Sequence, residues 1–243
     1  MKIVTNEKYI RRNKKIGQYT TIASLAILVI GFIISLDTSN PGLFGWSLLA
    51  LVIGFALSQV GIYFGNRWGR SPRPDEVLAA GLKGLEDKYT LYNYMTVVPH
   101  LLVGPAGIWI LATFTQRGAI TYNPDRKRWS QKGGNFIMKL FGQEGLGRPD
   151  QEVYNLYQDM QKYISKEVSI PNLPSPQVAM VFLSDKSTVQ AQDSPVPAMH
   201  IEKLKDFIRK QAKENIYRAD VKDPDSVDPV RRFQQFLPEE SIV

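Results

Sequence analysis

The chain of 243 residues has no cysteine and only two histidines, His100 and His200. The first absence excludes disulfides, thiolate zinc sites, iron–sulfur clusters and cysteine nucleophiles. The second excludes a histidine-rich metal centre. A Gly-rich phosphate loop is also missing, since Gly104-Pro105-Ala106-Gly107 reads as a turn between strands. Charged residues are absent between Lys15 and Asp37, and again from Leu43 to Gly65. Outside those stretches the composition is that of an ordinary globular chain, 44% hydrophobic and 22% charged overall, which rules out a wholly disordered or fibrous protein.

The two charge-free stretches set the organisation. A bilayer core of about 30 Å takes roughly 20 apolar residues of helix. Tyr19 to Leu36 and Leu43 to Gly65 fit that length, with Trp46 and Tyr63 near the ends of the second, at interfacial positions. Between them Asp37-Thr38-Ser39-Asn40-Pro41-Gly42 has turn chemistry. The sequence therefore predicts a transmembrane helical hairpin over 19–65, with spans at about 19–36 and 43–65. A signal peptide is the alternative for the first span. Its length, the lack of a small-residue cleavage site and the second span argue against that.

Before the first span lie Lys2, Lys8, Arg11, Arg12, Lys14 and Lys15; after the second come Arg67, Arg70 and Arg73; the intervening turn has no Lys or Arg. The positive-inside rule then predicts a multi-pass protein of the cell membrane with both termini cytoplasmic. Residues 1–18 read as a basic cytoplasmic tail. Residues 1–65 carry six Lys/Arg and two Asp/Glu, a net +4; the rest carry 24 and 21, a net +3. The soluble part is thus only mildly basic, and net charge alone makes a weak nucleic-acid argument.

After a 66–74 linker, the pattern becomes that of an α/β domain over 75–217. A helix is predicted from Asp75 to about Lys88, with Val77, Leu78, Leu82 and Leu85 on one face. Strands are predicted at Tyr89–Met95, Val98–Val103, Ile108–Phe114 and Ala119–Tyr122. Arg126 to Gly147 reads as an irregular basic excursion carrying Trp129 and Phe136. Helices follow at about Pro149–Lys166 and from Ile201 to about Tyr217, the latter with Ile201, Leu204, Ile208 and Ile216 inward. Further strands are predicted at Gln177–Leu183 and Val196–His200. Residues 218–243 read as a loosely ordered tail with a short helical turn at Val230–Phe236 that docks through Val230, Phe233 and Phe236. The expected architecture is an α/β sandwich with a mixed sheet.

Pro99 to Ile120, PHLLVGPAGIWILATFTQRGAI, resembles the central strands of the nuclease-related domain family, NERD. That family is similar to the PD-(D/E)xK restriction-endonuclease superfamily. Its usual wording is Asp-His and a hydrophobic strand, a Gly-Pro-x-Gly turn, an aromatic strand ending in Glu-x-Lys, then Gly and a further strand. His100, Gly104, Pro105, Gly107, Ile108, Trp109 and Gly118 match it. The helix from Glu76 resembles the family's leading helix, and PQVAMVFLSD with the next helix resembles its later elements. The resemblance covers about residues 75–210 and implies a restriction-endonuclease-like fold with carboxylates holding Mg²⁺. Here the metal-binding Asp falls on Pro99, and Glu-x-Lys falls on Ala112, Thr113 and Phe114. Magnesium needs hard oxygen ligands, which Pro99, Ala112 and Phe114 do not supply, and Glu76 remains as a residual family position.

These readings predict a membrane-anchored, catalytically inactive nuclease-related domain, a pseudoenzyme acting as a cytoplasmic binding or scaffold module. It has no catalytic residues, no metal ligands and no cofactor. One alternative is an active, Mg²⁺-dependent membrane-tethered nuclease with migrated ligands such as Asp87, Glu86 or Gln116. Another is a structural subunit of a membrane complex, with Gly31, Gly54, Ala56, Ser58 and Gly61 making helix contacts. Gln116, Arg117, Arg126, Lys127, Arg128, Trp129 and Lys132 form a basic-aromatic cluster suited to nucleic acid or to anionic lipid. His100 and His200 read as structural. The expected partners are the lipid bilayer, nucleic acid and a membrane-protein partner. The C-terminal Ser-Ile-Val has the look of a PDZ ligand, on too few residues to use.

Overall fold

The computed structural model describes residues 1–37, 39–40, 42–134, 145–219 and 228–241, with the backbone alone at 216–219. The chain divides into two units, Glu7–Arg73 and a second built from Met1–Asn6 with Pro74–Val243.

The first unit is a helical hairpin of α1 (Glu7–Ser35) and α2 (Leu43–Phe64), followed by a π-helical turn at Gly65–Gly69. Both helices are long and apolar enough to cross a membrane. Their contact seam is made of small residues at seven-residue spacing, Gly17, Ser24 and Gly31 against Ser47, Gly54 and Gly61. A strict heptad favours left-handed supercoiling, and small residues let backbones approach closely. A Cβ at Gly54 would lie 2.7 Å from Leu28 Cδ2, and one at Gly31 2.8 Å from Ala50 Cβ. Three of the five small residues marked out in the sequence are thus spent inside the hairpin, while Ala56 is exposed and Ser58 half-buried. Hydroxyls on the helices fold back onto their own backbone: Thr21 Oγ1 donates to Gly17 O at 2.7 Å and Ser24 Oγ to Thr21 O at 2.8 Å. The outer face is apolar, with Ile22, Leu25 and Phe32 each at least 60% exposed.

The second unit is a layered mixed α/β structure. Its six-stranded sheet has the order β1-β2-β3-β4-β7-β9. The strands are β1 (Lys2–Thr5), β2 (Thr90–Asn93), β3 (His100–Gly104), β4 (Gly107–Phe114), β7 (Gln177–Phe182) and β9 (Ala198–His200). β2, β3 and β4 are antiparallel in sequence; β1 pairs parallel with β2, and β7 pairs parallel with both β4 and β9. A smaller sheet has the order β6-β5-β8, from β5 (Gly118–Asn123), β6 (Arg128–Lys132) and β8 (Ser187–Gln190). The remaining helices are α3 (Pro74–Gly81), α4 (Pro149–Glu167), α5 (Ile201–Ala219) and α6 (Pro229–Phe236).

The period-2 alternation of β4 divides the core. Trp109 and Leu111 face Leu78 and Leu82 beside Leu204 and Ile208 of α5. Ile108, Ile110, Ala112 and Phe114 face Val153 and Met160 of α4, Phe233 of α6 and Ile120 of β5. The β3–β4 turn explains its own glycines. Gly107 has φ +100°, a backbone region that disfavours a side chain, and a Cβ on Gly104 would run into the Tyr89 ring.

Several sequence expectations are corrected. Residues 1–18 are not a tail: Lys2–Thr5 is a sheet strand, and α1 begins at Glu7. The first pairs with β2 across some eighty residues of chain, which local pattern cannot reveal. The helix from Asp75 stops at Gly81 rather than near Lys88, with Gly84 at φ +88° in the turn that follows. Within 126–147, Arg128–Lys132 is strand β6, and Phe136 lies outside the described residues. The inward side chain expected of Ile216 also lies outside them. Part of the 218–243 stretch is helix α6, capped by Asp228, whose Oδ1 accepts from Val230 N at 2.9 Å. Phe233 and Leu237 of that stretch are buried, whereas Phe236 is 48% exposed.

Candidate functional site

The positions where the resemblance puts metal-binding groups lie inside the core. Ala112 and Phe114 are 2% and 3% exposed. Phe114 stacks on Phe182 of β7 with centroids 5.2 Å apart, and Trp129 approaches the same Phe182 ring at 6.5 Å. A hydrolytic metal centre needs oxygen ligands and a place for water; this volume is filled by aromatic rings. Glu76 lies in the first turn of α3, half-buried, and that helix packs its leucines on the opposite face of the sheet from Ala112 and Phe114. The structure does not bring Glu76 together with those positions.

Two of the three migrated candidates, Asp87 and Gln116, have other tasks. Asp87 Oδ1 sits 2.9 Å from the Met1 amino nitrogen, and that hydrogen bond and charge hold its carboxyl below the ordinary range. Gln116 Nε2 donates to Gly145 O at 3.2 Å. Among the described residues, no group of three His, Asp or Glu is placed to hold a metal ion.

Around Pro99 the chain builds a buried polar network instead. His100 is 1% exposed, and its Nδ1 donates to Asn93 Oδ1 at 2.9 Å. Asn93 Nδ2 donates in turn to Thr5 Oγ1 at 3.3 Å, so the amide orientation fixes the Nδ1–H tautomer of His100. The Tyr94 ring meets His100 edge-on at 5.1 Å, and Tyr94 N donates to Pro99 O at 2.7 Å. The network joins β1, β2 and β3. Sequence reasoning noted His100 but missed Thr5, Asn93 and Tyr94, because Thr5 looked like part of a tail. In this network His100 satisfies and orients its neighbours. His200 is also structural, with Nε2 3.0 Å from Ser184 O.

The basic-aromatic cluster is split by the pleat of β6. Arg128, Ser130 and Lys132 point to solvent, while Trp129 turns inward. Trp129 Nε1 donates to Asp150 Oδ1 at 2.7 Å, and its ring packs 5.1 Å from Tyr122. It is therefore committed to packing and is not an exposed stacking platform. Arg126 and Lys127 sit in the β5–β6 turn, and Arg117 precedes β5; all three are exposed. An apolar groove of about 500 Å³ opens between α4, the start of β7 and the segment leading into β9, lined by Val153, Tyr154, Tyr157, Pro176, Pro195 and Pro197. No motif in the sequence announces it, since its residues, Trp109 among them, come from four separate stretches.

No family model, curated protein or solved structure matches this chain.

Proposed function

We propose that the chain is a membrane-anchored, catalytically inactive relative of the nuclease-related domain, working as a binding or scaffold module on the cytoplasmic side. The single observation that carries the inactive reading is the burial of Ala112 and Phe114 in the core, where the Phe114 ring stacks on Phe182. A restriction-endonuclease-like fold is supported by the order of elements. α3 leads, β2–β4 follow with the Gly-Pro-x-Gly turn before β4, and α4 precedes β7, which lies parallel to β4. Anchoring is supported by the hairpin's exterior, where large apolar side chains from Tyr19 to Tyr63 stand exposed. An apolar surface of that extent needs a non-aqueous environment. A multi-pass topology with both termini cytoplasmic follows from the Lys/Arg bias at the ends of the hairpin.

The test uses the full chain. Carbonate-washed membranes are expected to retain it, and the detergent-purified protein is expected to leave labelled DNA and RNA intact with Mg²⁺ present. Mg²⁺-dependent cleavage that disappears in Glu76→Ala would overturn the inactive reading. Release by carbonate would overturn the anchor.

A further inference from the structure

We propose that the end of the hairpin formed by the first turns of α1 and the π-helical turn is a recognition surface for anionic phospholipid headgroups. The inference rests on the membrane-anchored reading and adds a lipid class to it.

The charge is one-sided and uncompensated. Lys8, Arg11, Arg12, Lys14 and Lys15 lie on α1, and Arg67 and Arg70 follow α2; Glu7 is the sole acidic residue on these segments. Among the described residues, none of these seven cations forms an ion pair with a carboxylate. Two are held on aromatic rings instead: Arg12 lies over Tyr9 at 5.2 Å, and Arg67 over Trp68 at 5.4 Å. The rings touch, Tyr9 to Trp68 at 6.1 Å and Tyr63 to Trp68 at 6.0 Å. Such contacts position a guanidinium without consuming its N–H donors.

The seam places part of this set at one level. Gly17 faces Phe64 and Gly65, so one turn further out Asn13 and Lys14 share a level with Arg67 and Trp68. The apolar exterior begins immediately inward of this layer. Tyr and Trp favour the headgroup level of a bilayer, where a row of cations meets lipid phosphates.

A second observation points to an acceptor. Asn13 is 4% exposed and Trp68 6%. Asn13 Nδ2 and Trp68 Nε1 are buried donors with no acceptor among the described residues. Leaving such donors unmatched is costly. A phosphate or ester oxygen of a headgroup is the acceptor chemistry this layer lacks. Zwitterionic lipids carry their own cation beside the phosphate, whereas anionic lipids leave the phosphate charge to the protein. Contact with the apolar exterior favours lipid over nucleic acid as the source of phosphate.

The experiment is native mass spectrometry of the full-length protein taken from bilayers of equal phosphatidylcholine and phosphatidylglycerol. Retained phosphatidylglycerol is expected to exceed phosphatidylcholine by fivefold or more, and 10 mM inorganic phosphate is expected to leave that ratio unchanged. In Arg12→Gln/Arg67→Gln the ratio should fall to near one. In Lys210→Gln, on exposed α5, it should stay. A ratio near one in the unaltered protein, with carbonate-resistant membrane retention intact, overturns the lipid inference and leaves anchoring standing. Release by carbonate removes both. Loss of the preference on adding phosphate, or a labelled oligonucleotide that binds and is lost in the double variant, assigns the surface to soluble phosphates or nucleic acid and overturns it as well.

Discussion

At the scale of single residues, positions 112 and 114 are given over to packing. Ala112 points into a core of aliphatic and aromatic side chains. Ala112→Glu would bury a carboxylate with no cation beside it, where water cannot follow. Burying an unpaired charge is among the few single changes that cost more than about 4 kcal/mol. The expected result is a loss of cooperative unfolding in the second unit by near-UV circular dichroism, with no gain of Mg²⁺-dependent cleavage. The polar network behaves differently. Asn93→Ala removes the acceptor of His100 Nδ1 and the donor to Thr5 Oγ1. Leaving a buried group unsatisfied costs about 1–3 kcal/mol, readable as a lower urea midpoint at unchanged slope.

Tyr92 gives a pH dependence with a definite sign. Its hydroxyl donates to Gln234 O at 3.1 Å. Burial, with Glu239 adding to it against an opposing hydrogen bond from Thr90, pushes its pKa up to about 12. The unfolded chain releases that proton near pH 10, so the folded state holds it longer. The stabilisation linked to the neutral phenol is complete below pH 10 and is lost as pH rises from there toward about 12. Tyr92→Phe loses the hydrogen bond, a cost of about 1 kcal/mol at pH 8, but should escape the alkaline loss. Urea titrations at pH 8 and pH 11.5 should show the two proteins converging.

At the scale of elements, legibility tracked how local the cause was. The hairpin could be read because charge-free runs state their own length, and β3, β4, β7 and α4 because their apolar period is internal to each. β1 could not: four residues, Lys2–Thr5, become a strand only because Thr90–Asn93 offers a parallel edge. β8 was missed for the same reason, as Ser187–Gln190 depends on pairing with β5. For the site, His100 and the basic residues were visible by type, but the inward turn of Trp129 depends on the register of β6, which its sequence does not announce. The seam of the hairpin offers a test at this scale. A Cβ at Gly61 would crowd the Thr21 side chain and come within 3.1 Å of its backbone nitrogen. Gly61→Val should therefore open the hairpin at a cost of about 1–3 kcal/mol. It should lower the thermal midpoint in detergent, whereas Ala56→Val, on the exposed face, leaves it unchanged.

At the scale of the whole molecule, the chain passes from the α/β unit into the hairpin between Asn6 and Glu7 and returns at Pro74. β1 ends at Thr5 and α1 begins at Glu7, so the strand that completes one edge of the sheet runs almost directly into the apolar hairpin. Its burial is real: Val4 is 1% exposed, and Thr5 N donates to Ser241 Oγ at 3.0 Å. The hairpin is thus an insertion within the α/β unit, and cutting before Pro74 removes a strand along with the anchor. A fragment of 74–243 should show reduced stability and expose the edge of β2, with a tendency to aggregate through it. Joining Met1–Asn6 to Pro74 through a flexible Gly/Ser linker of about a dozen residues restores the strand, since lengthening a loop costs little entropy. That chain is expected to be soluble without detergent and to unfold at a higher temperature than 74–243. The two thermal midpoints, measured side by side, decide whether the first six residues belong to the fold: equal values would make β1 dispensable.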